Sequence, residues 1–111
     1  MTTQLPIVPS GPAPAAPSGP TRRATRKITL GPLEVGGDAP VSVQTMTVTP
    51  THEADLTLQA IAAAQAAGAD AVRVAVPRKE DAEALARIAE HARIPVIADI
   101  HFQWKYAVMA I

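Results

Sequence analysis

The chain has 111 residues, enough for one ordinary domain, and its 10 basic and 10 acidic side chains give a formal net charge of zero. Nothing in that balance suggests a basic nucleic-acid tail or a patch for anionic membranes, and no uncharged apolar run approaches the roughly 20 residues that span a bilayer. With no cysteine, these residues can form no disulfide, no thiol nucleophile and no cysteine-held metal cluster.

Residues 1–21, MTTQLPIVPSGPAPAAPSGPT, hold six of the 11 prolines and no charged side chain. Proline, serine and glycine at that density cannot bury enough surface to offset chain ordering. A disordered, partly polyproline-like tail is expected, either a solubilising leader or a segment for a proline-binding domain. It lacks the basic and continuous apolar blocks of a secretory signal, so the cytoplasm is the default location. From residue 22 the character changes, and 22–111 reads as the folded region. The basic run TRRATRK (21–27) has too little charge and too few aromatic neighbours for a nucleic-acid patch and reads as a solvated lead-in. Two β-prone pieces follow, Lys27–Leu30 and Leu33–Val35, parted by Gly31-Pro32 and closed by Gly36-Gly37, the pattern of a hairpin.

APVSVQTM predicts a strand over about 41–46. A helix is expected over roughly 52–67, with Thr49 or Thr51 as N-cap, Pro50 in the first turn and His52 at its start. Glu53 and Asp55 favour its positive end, and Gly68 stops it. DAVRVAV (70–76) is a second strand, ended by Pro77. The next helix, about 79–92, shows a stripe of Ala82, Leu85, Ala86, Ile88, Ala89 and Ala92, with Glu83 and Arg87 paired i,i+4 outside it. Pro95 opens a third strand, PVIADIHF. Trp104, Ala107, Val108 and Ile111 then recur at i, i+3, i+4 and i+7, the start of a third amphipathic helix with Trp104 as a packing residue.

Alternation of this kind implies a parallel sheet with helices on its face. The first strand-to-helix turn, QTMTVTPTHEAD, has no glycine, whereas a pyrophosphate-binding Rossmann turn needs close backbone approach. The expected fold is therefore α/β, the first three βα units of an eightfold (β/α)8 barrel, preceded by the hairpin and the proline-rich tail.

Ligands in such folds bind beyond the C-terminal ends of the strands. Gln44, Thr45, Met46 and Thr47 close the first strand, Arg73 lies in the second, and Asp99 and His101 end the third. Asp99 and His101 are two apart, so an extended backbone points them to one side. They can serve as an acid/base pair, as substrate hydrogen-bonding groups or as metal ligands; alternatively Asp99 makes a local turn bond and His101 faces water. Arg73, flanked by valines, must find an anion or water. A structural pairing with Asp99 and a fork for phosphate are both open.

Taken together, RRATRKITLGPLEVGGDAPVSVQTMT, GADAVRVAVP and IPVIADIHF resemble the N-terminal part of the flavodoxin- or ferredoxin-dependent 4-hydroxy-3-methylbut-2-enyl diphosphate synthase family of the non-mevalonate isoprenoid (terpenoid) pathway. The resemblance runs over 22–111. It implies a barrel followed by a C-terminal domain with a four-iron, four-sulfur (4Fe-4S) cluster on three cysteines and a glutamate, ligands that these residues do not contain. It also implies a homodimer in which each barrel faces the other subunit's cluster. The implied reaction is a two-electron reductive ring opening of 2-C-methyl-D-erythritol 2,4-cyclodiphosphate with loss of water, fed by reduced flavodoxin or ferredoxin. Arg73 and His101 match positions that hold the diphosphate, Gln44 is a further substrate-binding candidate, and Asp99 beside them is the catalytic candidate. Thr45 stands where serine is usual and Glu53 where aspartate is common; both keep the chemistry type.

On this reading the chain is a truncated piece, expected to be inactive alone and unstable without the remaining strands. The alternatives are another barrel enzyme, namely a pterin-binding synthase or a metal-dependent hydrolase using Asp99 and His101, and a non-catalytic remnant or interaction module built on the proline-rich tail.

Overall fold

A computed structural model describes residues 21–111. The tail expected over 1–21 therefore lies, apart from Thr21, outside the described residues. Strands β1 (Ile28–Leu30) and β2 (Leu33–Val35) pair antiparallel, with Leu30 opposite Leu33. Gly31 takes φ 58°, the positive value that primed two-residue turns require at their first position. The lead-in is more firmly held than a solvated segment: Arg22 donates to the Ala39 carbonyl at 2.9 Å, and Lys27 lies 2.8 Å from Asp38 and 3.6 Å from Glu34.

Three further strands, β3 (Gln44–Met46), β4 (Ala71–Ala75) and β5 (Val96–Asp99), form one parallel sheet with β4 in the centre. Helices α1 (Ala54–Ala66), α2 (Lys79–His91) and α3 (Trp104–Ala110) follow them in turn. The βα alternation is as expected, and the three strands form an open sheet rather than a closed barrel. β3 is shorter than predicted. The backbone N–H of Val43 donates to the Asp70 carboxylate and its carbonyl accepts from the Asp70 N–H, both at 2.8 Å, so this segment is tied to a loop and not to a ladder.

Period-two alternation decides what each face of β4 carries. Val72, Val74 and Val76 are 0–1 % exposed and meet Ile61 of α1 and Ala82, Leu85 and Ile88 of α2 in the core. Full burial of each such side chain is worth about 1.5–3 kcal/mol. Arg73 and Ala75 face the other way, in register with Met46 on one side and Ile97 and Asp99 on the other. No helix among the described residues covers that second face.

The helix ends are partly as predicted. Gly68, at φ 108°, does close α1: its N–H bonds the Gln65 carbonyl while the Ala69 N–H reaches back to Ala64, the paired bonds of a Schellman stop. Neither Thr49 nor Thr51 caps the other end. Glu53 occupies that position without a side-chain bond, because the threonines serve tertiary needs. Thr51 donates to the Ala75 carbonyl at 2.5 Å, which the end of β4 would otherwise leave free, and Thr49 pairs with Thr57 at 2.8 Å.

On α2 the predicted stripe is narrower: Ala82, Leu85 and Ile88 are buried, whereas Ala86 and Ala89 are exposed along a groove shared with Met109 and Ile111. Arg87 bonds Asp55 of α1 at 2.5 Å rather than pairing with Glu83. The third stripe is misassigned. Tyr106 turns toward the core, while Trp104, Val108 and Ile111 are exposed, since α3 rests on α2 along a different line from its apolar periodicity.

Candidate anion site at the strand tips

β4 and β5 run side by side with Ala75 opposite Asp99, so Arg73, one turn of the pleat earlier, reaches across to the end of β5. Its Nη2 donates to Asp99 Oδ2 at 2.6 Å, a short charge-assisted bond. The other oxygen, Oδ1, lies 2.9 Å from His101 Nε2. One carboxylate thus holds a guanidinium and an imidazole, each in a fixed direction. The Asp99 side chain is 16 % exposed, that of Arg73 41 % and that of His101 74 %, so the anchor is sheltered and both of its partners look outward. A single bond to Asp99 leaves other N–H groups of the Arg73 fork available to an oxyanion.

The geometry brings together three of the four residues singled out from the sequence. Gln44 is the exception. It begins β3 rather than ending it, opposite Ala71, two residues or roughly 6.6 Å along the sheet from the level of Arg73. It takes no part in the hydrogen-bonded triad. Among the described residues no group of three or more His, Cys, Asp or Glu side chains could hold a metal ion, and both Asp99 oxygens already have partners. The residues present do not fit an iron–sulfur cluster either, because thiolates are its ligands and the chain has no cysteine.

Two features at this end were missed in the sequence. Asp81, whose side chain is 2 % exposed, ties the two strand-to-helix loops together. Its Oδ1 accepts the His52 backbone N–H at 2.8 Å and lies 3.2 Å from His52 Nδ1, and its Oδ2 accepts the Arg78 N–H at 3.2 Å. An acidic residue in the third position of a helix was the available signal. His52 is thus a partner of this latch rather than simply a helix-start residue. The second feature is Phe102, which has φ 62° and a fully exposed ring beside His101; nothing in composition or spacing announces it.

The family described as the GcpE TIM-barrel domain matches residues 25–111. The chain belongs to the GcpE family. It is 58 % identical over 100 residues to a 4-hydroxy-3-methylbut-2-en-1-yl diphosphate synthase (flavodoxin) of Mycobacterium tuberculosis H37Rv, and 57 % over 100 residues to the protein of that name from Cutibacterium acnes. Each match covers 90 % of this chain and 26 % of the relative. A Nocardia farcinica protein of the same name is 59 % identical over 99 residues, covering 89 % of this chain and 26 % of that relative. The chain therefore spans about a quarter of the length of the curated relatives it matches. Membership of this family sets aside the pterin-binding and metal-dependent hydrolase readings.

Proposed function

We propose that residues 22–111 are the first three units of an eightfold barrel in a 4-hydroxy-3-methylbut-2-enyl diphosphate synthase, with 1–21 a separate tail, and that Arg73, Asp99 and His101 form part of its diphosphate site. The observation that carries this reading is the single carboxylate, Asp99, aiming a guanidinium and an imidazole outward from the C-terminal ends of neighbouring parallel strands. Asp99 neutralises Arg73 before substrate arrives and fixes the direction of His101, while the free edge of the guanidinium fork meets the diphosphate. Arg73 and Asp99 together carry no net charge, so further cationic groups from the rest of the barrel complete the anion site. Gln44, lower on the same face, contributes to substrate binding only from the second rank.

In the whole enzyme the substrate is the cyclodiphosphate, electrons come from reduced flavodoxin or ferredoxin, and a four-iron, four-sulfur cluster in another domain supplies the redox chemistry. The residues of this chain bind and orient the diphosphate; none of them can hold the cluster. Two copies are needed, since each barrel is served by the cluster domain of its partner. The enzyme is cytoplasmic, and the 111 residues alone are inactive.

The test is Arg73→Lys in the full-length enzyme. Lysine keeps the charge but loses the planar fork, so substrate affinity falls by about 10- to 150-fold, equivalent to roughly 1.5–3 kcal/mol. Unchanged affinity, measured by calorimetry, would assign Arg73 to a structural ion pair with Asp99.

A further inference from the structure

Phe102 is held in a conformation that a phenylalanine does not adopt for its own sake. A φ of 62° is the left-handed region, where a Cβ crowds the following carbonyl and glycine or asparagine is favoured. Burial of the ring does not offset this strain, because the ring is fully exposed. Among the described residues nothing packs on the Phe102 ring, and glycine would make the same turn without strain. Composition sharpens the point. The chain has one Phe, one Trp and one Tyr, and the Phe and Trp both stand in solvent within three residues after His101 instead of anchoring the core. The Phe102 ring lies 6.5 Å from the His101 imidazole, centroid to centroid, tilted by 49°. An exposed aromatic ring held under backbone strain beside a polar triad has the form of a ligand wall: small-molecule sites pair a few aimed polar groups with an apolar surface.

We infer that Phe102 determines specificity at this site, its ring forming the apolar wall on which the carbon skeleton of the bound diphosphate ester rests while Arg73 and His101 take the phosphoryl oxygens. The inference rests on the diphosphate reading given above. The left-handed turn at Phe102 stands the ring beside His101 instead of letting it follow the chain into α3.

Two probes in the full-length enzyme separate the possibilities: inorganic pyrophosphate, which has no carbon skeleton, and the cyclodiphosphate. Phe102→Gly is the variant of choice, since glycine accepts φ 62° without strain and the melting temperature is expected to hold or rise. Partial coverage of a phenyl ring corresponds to roughly a 10-fold change in affinity, so the variant should bind the cyclodiphosphate about 10-fold more weakly and pyrophosphate as tightly as the parent. Phe102→Tyr, which keeps the ring, should restore cyclodiphosphate binding. Equal weakening of both probes would overturn the inference, because the ring would then act only by setting His101. No change in either probe would overturn it as well. If the parent enzyme bound neither probe, the diphosphate reading itself would fail, a result distinct from both.

Discussion

The two faces of β4 are built from alternate residues of one five-residue strand, yet they obey different rules. Val72 and Val74, with Val76 just beyond, point into an apolar core against Ile61 of α1 and Ala82, Leu85 and Ile88 of α2. Arg73, one residue away from two of them, points to the opposite face, where its partners are a carboxylate and, through it, an imidazole. The first face is specified by volume and dryness, so only apolar residues of similar size can replace one another there. The second is specified by direction, so even a lysine in place of Arg73 is not conservative. On the proposed reading stability lives on one face and recognition on the other, and substitutions can separate them.

The largest effect should come from breaking the dry face. Val74→Asp would bury a carboxylate with no partner where the exposure is zero, and destabilisation of the full-length protein by more than about 4 kcal/mol is expected. Soluble protein with an unchanged thermal transition would show that the core is far more yielding than its packing indicates.

Next in size is the seam between the two faces. Asp81 is buried like a core residue but bonds like a site residue, accepting backbone N–H groups from His52 and Arg78. Asp81→Ala leaves both donors without their acceptor, a loss of about 2–3 kcal/mol. Asp81→Asn keeps one carboxamide oxygen and should lose less. The readout is the denaturation midpoint together with hydrogen exchange at the His52 and Arg78 amides, which should speed up in the alanine variant. Protection that persisted in the variant would mean that the loops are held by other contacts.

Much of this contrast can be read from the sequence, and the limits of that reading have physical causes. The βα alternation, the buried valines and the stop at Gly68 follow from local periodicity and backbone preference, which act over a few residues. Arg73, Asp99 and His101 stand out because charged groups among valines and at a strand tip demand an explanation. The pairing of Arg73 with Asp99 was one of two options, and only the register of β4 against β5 brings them within reach. The caps at Thr49 and Thr51 failed because the Thr57 hydroxyl and the Ala75 carbonyl compete for the same hydroxyls. The α3 stripe failed because a two-turn helix turns toward whichever neighbour it leans on. Phe102 was invisible, since nothing in a phenylalanine codon position signals a positive φ.

A smaller effect on stability, and a larger one on function, is expected on the open face. Asp99→Asn removes the charge that holds Arg73, but Arg73 is substantially hydrated, so the pair contributes at most about 1 kcal/mol to folding. Turnover in the full-length enzyme should nevertheless fall about 100-fold or more, because His101 loses the carboxylate that orients it and Arg73 swings free. Thermal melts and steady-state rates on the same sample test the split. A large loss of stability with little loss of turnover would invert the assignment of the two faces.

The smallest effect concerns an ion pair that belongs to neither face, and it serves as a control for Arg73 and Asp99. Lys27 and Asp38 lie 2.8 Å apart beside the β1–β2 hairpin, with the Asp38 side chain 88 % exposed. Their hydrogen bond, reinforced by charge attraction, holds the Lys27 ammonium above its ordinary value of 10.5 and the Asp38 carboxyl below its ordinary 3.8. For a lowered carboxyl, the stabilisation is fully present above the unfolded value and is lost as pH falls through the folded one, so the acid limb lies below pH 3.8. For a raised amine, it is fully present below the unfolded value and is lost as pH rises through the folded one, so the alkaline limb lies above 10.5. Between those limits the pair should give no pH dependence at all. Lys27→Met should return Asp38 toward 3.8 in a carboxyl-carbon NMR titration, whereas salt near 1 M should do so only in part in the parent, since the 2.8 Å contact is no longer than the Debye length of about 3 Å. A lowered Asp38 value that survived the substitution would mean that the hairpin backbone, not Lys27, holds the carboxylate charged.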